Sequence, residues 1–285
     1  MTDDDAESWA GPDGPGWGRR IGKLPDVHLF DIQCGLANTG WSSPFEVRAF
    51  HLVLVRSGGF LHQRNGVEAF SSAASALYMC PGDEVRMAHP LDYPDRFLAL
   101  QFAEPPEVEL RAGAIRVGDH VDVLQRITAA MCGTDTDGFE LATNVLTLVH
   151  MISGTHGADR TSARPATVVG HRRTVDAAIE ALLNDGFRLG LTELAGLVGA
   201  SPSHLSRVFQ RVTGTSLTVY RNQLRVRSVL AKLQDGEGNL ARLASEHGFA
   251  DHSHLDRVVR RHVGTRPSTL RTLLAPGVRG SDGPN

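Results

Sequence analysis

Two hexapeptides decide the reading of this chain: Ser203-His204-Leu205-Ser206-Arg207-Val208 and Ser253-His254-Leu255-Asp256-Arg257-Val258. They differ at one position only. Upstream, Leu194-Ala195 followed by Gly199 is matched by Leu243-Ala244 followed by Gly248. Downstream, Arg211 corresponds to Arg261 and Gly214 to Gly264. The C-terminal half is therefore an internal repeat of about fifty residues with one inserted residue. Each copy reads as a short helix, a tight turn and a second helix. The small Ala lets the second helix cross the first closely, and the Gly suits the left-handed backbone of the turn.

The second helix of each copy has two faces. In the first copy Leu205, Val208, Phe209 and Val212 turn inward, leaving Ser203, Ser206, Arg207, Gln210 and Arg211 outward. In the second, Leu255, Val258 and Val259 turn inward, leaving His252, Ser253, Asp256, Arg257 and Arg260 outward. Small residues at the start of such a helix permit close approach to base edges, and an arginine one turn later reaches guanine or a phosphate. A helix over Thr218 to Leu233, with Val226, Val229, Leu230 and Leu233 on one face, joins the copies. Its length of roughly 24 Å suits two neighbouring major-groove segments. Around it the pattern predicts helices over Val175–Leu183, from an N-cap at Thr192, from Ser201-Pro202, and over Leu240–His247, His252–His262 and Pro267–Leu274.

Charge follows the same division. The 285 residues carry a net charge of −3, but residues 171–275 hold 15 Lys+Arg against 9 Asp+Glu, and residues 1–170 hold 13 against 22. Such asymmetry suggests a nucleic-acid-binding module joined to something else. No stretch approaches the ~18 apolar residues of a membrane span. The acidic start Met1-Thr-Asp-Asp-Asp lacks the basic and apolar regions of a secretory signal, and three cysteines without a CxxC make no disulfide framework. A cytoplasmic protein without a membrane partner is expected.

The N-terminal half reads as short strands. Phe45 to Arg56, Phe60 to Arg64, Ala76 to Met79 and Phe97 to Phe102 are β-rich, with turns at Gly58-Gly59, Asn65-Gly66 and Pro81-Gly82-Asp83. This favours a small barrel or sandwich. Two helices follow. Asp119–Met131 places Leu124, Ile127 and Met131 on one stripe, and Glu140–Ile152 does the same with Leu141, Val145, Leu148 and Ile152. The second stripe fits either a dimer seam or packing on the chain's own barrel. The expected organisation is a disordered arm over 1–22, a sensor and dimerisation domain over 23–152, a linker over 153–170, a DNA-binding domain over 171–275 and a flexible tail over 276–285.

Residues 172–274 resemble the DNA-binding domain of AraC/XylS-family transcription regulators. The resemblance rests on Ala244-x3-Gly248-Phe249-x-Asp251-x-Ser253-His254-Leu255-x-Arg257, then Gly264-x2-Pro267-Ser268-x2-Arg271, and on Gly199-x-Ser201-x2-His204-Leu205-x-Arg207-x-Phe209 with Gly214. Leu255, Val259 and Leu270 are smaller than the aromatic residues usual at those positions. More loosely, Leu52 to Gly59, Pro81-Gly82-Asp83 and His89-Pro90 resemble the cupin-like sensor domain that many such regulators carry. The resemblance implies two helix-turn-helix units joined by a long helix and preceded by a β-barrel with a helical pair. Its partners would be double-stranded promoter or operator DNA, RNA polymerase, an unidentified small effector and a second copy of the chain.

Other chemistries are weaker. His51 and His89 are the candidate effector contacts, although lone histidines also serve as core residues. His252-x-His254 with His247 and His262 suggests a metal site, but residues two apart on a helix diverge, and His254 repeats His204, so no metal is assigned. Cys34, Cys80 or Cys132 would sense redox state only as exposed, low-pKa thiols. No nucleophile elbow, phosphate loop or paired-carboxylate motif is present, and neither cofactor nor catalytic residue is assigned. The competing class is a metal- or substrate-binding cupin whose helical tail mediates protein contacts.

Overall fold

The computed structural model describes residues 16–36, 39–91, 94–132, 138–154 and 165–274. Its N-terminal part is built from antiparallel strands: β1 (Gly16–Lys23), β2 (Val27–Cys34), β3 (Phe45–Glu46), β4 (Phe50–Ser57), β5 (Gly59–Arg64), β6 (Val67–Ser72), β7 (Ser75–Met79), β8 (Glu84–Ala88), β9 (Asp95–Phe102) and β10 (Gly113–Arg116). One sheet runs β1-β2-β9-β4-β7-β10 and the other β3-β8-β5-β6. Alternation within the strands sorts the side chains. Phe30, Ile32, Val53, Val55, Leu77, Met79 and Phe97 meet Phe60 and Val85 of the smaller sheet in one apolar interior. Leu29, Leu52, Leu54, Leu98 and Leu100 face the other way, towards helices.

Asn65 and Gly66, at φ 49° and 79°, form the two-residue hairpin that the sequence signals, with Arg64 opposite Val67. The run Phe45–Arg56 is divided between the two sheets. Val47 exchanges backbone hydrogen bonds with Gly82 and Asp83 where the chain passes from β3, at the edge of the smaller sheet, to β4, inside the larger one. The Asp83 carboxylate secures that corner, accepting from Arg64 Nε (2.7 Å), Asn65 Nδ2 (2.7 Å) and the Cys80 amide (2.8 Å).

The expected arm over 1–22 is corrected at its end. Residues from Gly16 onward form β1, paired with β2 along its length, and Ile21 packs against the core. Pairing overrides the weak strand propensity of the glycines at 16, 18 and 22. The remainder of the arm, the middle of the expected linker and the 276–285 tail lie outside the described residues.

Two helices follow the strands, α1 (Asp119–Met131) and α2 (Gly138–Ser153). Leu141, Val145, Leu148 and Ile152 are buried against the larger sheet, so of the two readings of that stripe, packing on the barrel holds. The stripe on α1 is too simple a description. Asp122, Gln125, Arg126 and Thr128 are buried along with Val121 and Met131, while Leu124 and Ile127 are only partly covered. The cause is that α1 is enclosed from two sides, by the barrel and by the C-terminal domain.

The C-terminal part is helical: α3 (Pro165–Asn184), α4 (Leu191–Leu197), α5 (Pro202–Thr213), α6 (Leu217–Gln234), α7 (Leu240–Glu246), α8 (His252–Val263) and α9 (Pro267–Leu274). Residues 165–170, expected within the linker, are the first turns of α3; proline is tolerated at a helix start. Thr192 lies inside α4 instead of capping it. Glu193 Oε2 accepts from the Gly190 amide at 2.9 Å, which places the cap at Gly190, two residues earlier. Ser201 caps α5 as expected, accepting from the His204 amide at 3.2 Å.

Candidate nucleic-acid interface

Each copy of the repeat is a helix-turn-helix. Leu194 and Ala195 on α4 and Leu243 and Ala244 on α7 are buried at the crossings. Gly199 and Gly248 occupy the left-handed turns at φ 66° and 71°. Leu205, Val208 and Phe209 anchor α5, and Leu255, Val258 and Val259 anchor α8. Across the linking helix α6, Leu224 joins the first core, and Val226, Val229, Leu230 and Leu233 join the second. At eighteen residues α6 is about 27 Å long.

The candidate DNA contacts lie on the opposite faces. Ser203, Arg207, Gln210 and Arg211 are exposed on α5, with Ser206 half-buried between them. His252, Ser253, Arg257 and Arg260 are exposed on α8, with Asp256 half-buried. Arg207 Nε donates to the Ser203 carbonyl at 3.2 Å, which folds its side chain back along the helix. Arg260 is ion-paired with Asp256 one turn earlier. Arg261, not singled out from the sequence, is exposed and shares a surface recess with Asp256, Arg257 and Arg260. Its repeat partner Arg211 was the available signal.

Three of the four clustered histidines have partners within the chain. His254 Nδ1 accepts from the Ala250 amide at 3.1 Å, and its ring stands edge-on to Phe249. His247 Nδ1 meets Ser228 Oγ at 3.4 Å, and His262 Nδ1 meets Asp119 Oδ2 at 3.0 Å. These pairings divide the cluster among separate partners. Burial pushes the thiols of Cys80 and Cys132 up, that of Cys132 to about 11, opposite to the shift a redox sensor needs.

His89 is committed on both ring nitrogens. Nδ1 lies 2.6 Å from Asp95 Oδ2, and Nε2 lies 3.7 Å from Cys34 Sγ. Burial alone would lower its pKa, but Asp95 and Cys34 raise it to about 9. His51 lies opposite Met79 in the larger sheet, and burial lowers it to about 4, so it is neutral at pH 7.

The two domains pack closely. Phe70, Ala74 and Leu91 of the barrel enter the core of the first helix-turn-helix, and Tyr220 Oη meets Ser72 Oγ at 3.2 Å. Val123 and Ile127 of α1 cover the core of the second. Asp119 joins Arg227 Nη2 (3.1 Å) and His262 across the same boundary. This packing leaves both outward faces in solvent.

Comparison with known proteins bears on the repeat. A family model described as a helix-turn-helix domain matches residues 194–272. The transcriptional regulator RipA of Corynebacterium glutamicum is 37% identical over 89 residues, 31% of this chain and 27% of RipA. The transcriptional regulator GlxA of Rhizobium meliloti is 30% identical over 83 residues, 29% of this chain and 26% of GlxA. The chain thus spans about a quarter of the length of these relatives. ToxT from Vibrio cholerae, solved with an unsaturated fatty acid bound, aligns over 90% of this chain and 99% of its own at 11% identity and a TM-score of 0.35. The repeat, the two buried crossings and the family match agree: residues 194–272 form a helix-turn-helix domain.

Proposed function

We propose that the protein is a sequence-specific DNA-binding transcription regulator whose DNA binding is modulated by a small effector at the N-terminal domain. The observation that carries this reading is the pair of outward faces, one on α5 and one on α8, held by a single continuous helix. Arg207, Arg211, Arg257, Arg260 and Arg261 supply charge for phosphates and guanine, while Ser203, Ser206 and Ser253 are small enough for close groove contact and His252 adds a hydrogen-bonding ring beside them. The packing of the barrel on the first unit and of α1 on the second gives effector binding a physical route to both.

A second copy of the chain, RNA polymerase and a cytoplasmic location belong to the same proposal. The exposed apolar residues Phe139 and Leu146 on α2 favour self-association. No described helix is long and apolar enough to cross a membrane.

A gel-shift titration of the full chain on promoter fragments, repeated over a range of salt, tests the proposal. Tighter binding to particular fragments than to random DNA is expected, with affinity falling steeply as salt rises. Equal affinity for all fragments, or indifference to salt, overturns it.

A further inference from the structure

Several arginines lie between the domains, away from the outward faces of α5 and α8. A cavity of about 450 Å³ lies where β1, β2, β4 and β9 face α1 and the end of α6, lined by Arg19, Arg56, Arg96, Arg126, Asp31 and Asp235 among others. Arg126 is fully buried, with each of its guanidinium nitrogens hydrogen-bonded. Its Nε meets Asp122 at 3.1 Å, Nη1 meets Gln234 Oε1 at 3.2 Å, and Nη2 reaches the carbonyls of Arg56 and Arg227. Arg56 differs. It is 6% exposed, one Nη pairs with Asp31, and its Nε is buried without a hydrogen-bond partner. Burial, with the neighbouring charges of Arg126 and Arg96, pushes its pKa down to about 9, so it is still a cation at neutral pH.

A buried, unsatisfied donor on a charged group is costly unless something accepts from it. The four guanidinium groups outnumber Asp31, Asp235 and the nearby Asp122, so the site keeps a net positive charge. The Nε edge of a guanidinium matches a phosphate or carboxylate in a two-point contact. The volume is in the usual range for small-molecule sites. We propose that this interdomain cavity binds a compact oxyanion, a small phosphorylated or polycarboxylated molecule, with Arg56 as its buried cation and Arg19 and Arg96 as its rim. Arg96 is ion-paired with Asp235 at the end of α6, so an anion that recruits Arg96 acts on the helix joining the two DNA-reading units. That regulatory consequence rests on the DNA-binding proposal; the binding site does not.

Calorimetry on the full chain at fixed ionic strength tests the site, with inorganic pyrophosphate and citrate as probes and acetate as the single-carboxylate control. Saturable binding of pyrophosphate or citrate at one per chain is expected, weakened at least tenfold by Arg56→Gln and by the double variant Arg19→Gln/Arg96→Gln. Preference for pyrophosphate assigns the phosphorylated class, and preference for citrate the polycarboxylate class. Arg56→Gln also leaves Asp31 unpaired; if that variant fails to fold, the two exposed arginines carry the test. No saturable binding, or binding lost in Arg207→Ala/Arg257→Ala instead, overturns the site, the latter by placing the anion on the recognition helices. A gel shift with and without the bound probe then tests regulation. Altered DNA affinity in the parent chain but not in Arg96→Gln supports it, and unaltered affinity overturns that part alone.

Discussion

The two helix-turn-helix units repeat one sequence pattern yet finish their cores differently. In the first, Phe209 and Tyr220 meet edge to face, ring centroids 5.2 Å apart, and the core continues into the barrel through Phe70 and Leu91. In the second, the corresponding positions hold Val259 and Leu270, and α1 contributes Val123 and Ile127 beside them. A repeated pattern of Leu, Ala and turn Gly therefore specifies the motif, while the neighbour that packs on it makes good the missing volume. The outward faces differ as well: α5 carries no carboxylate, whereas Asp256 on α8 holds Arg260.

Core truncation gives the largest test of this comparison. Phe209→Ala is expected to cost about 3–5 kcal/mol in urea unfolding, and Val259→Ala roughly half as much, since fewer contacts are lost. Equal losses would break the claim that the first unit relies on its aromatic pair. Next come the DNA contacts. Arg207→Ala and Arg257→Ala should each weaken a specific site by about 1–3 kcal/mol where the arginine reads a base. An equal loss on random DNA would identify a phosphate contact instead, and the comparison of the two arginines shows which unit reads more sequence.

The turn glycines separate the units more finely. A Cβ at Gly199 meets nothing within 4 Å, whereas one at Gly248 comes within 2.8 Å of Arg225 Nη2. That guanidinium donates to the Phe187 carbonyl at 2.6 Å and so ties α6 to the turn after α3. Gly199→Ala should cost about 1–2 kcal/mol of backbone strain, and Gly248→Ala measurably more by thermal unfolding.

The smallest expected effect is a pH dependence confined to the first unit. Asp176 on α3 accepts from the Phe70 amide of the barrel at 3.2 Å, and burial raises its pKa to about 7, with Arg172 lowering it and Glu68 raising it. A carboxyl raised in the folded state binds more protons folded than unfolded between about pH 4 and 7. Stability from this group therefore falls as pH rises through that window and is level above it. Asp176→Asn should flatten the slope. At the second unit, Arg227 and His262 hold Asp119 below its usual range against the effect of burial, so Asp119→Asn should lose stability at pH 7 without flattening the same window.

The motif was legible because its determinants are local: Ser201 and Pro202 start a helix, Gly199 turns the chain, and apolar spacing orients each face. The interdomain residues were not. Asp122 and Arg126 lie off the Leu124, Ile127, Met131 stripe that the sequence shows, yet both are fully buried because α1 is covered from two sides. Arg56 closes an apolar strand and gives no sign that another domain lies over it. Strand β1 was obscured by its glycines and depends on pairing with β2. His51 and His89 stood out as isolated polar residues in apolar surroundings, a signal that does not distinguish an effector contact from a structural pair such as His89–Asp95.

The claim that both units read DNA is tested most directly by hydroxyl-radical footprinting of the full chain on a bound promoter fragment. Two protected segments on one face of the duplex, about one helical turn apart, are expected, with Arg207→Ala and Arg257→Ala each weakening a different one. A single protected segment, unchanged by one of these substitutions, would contradict the account.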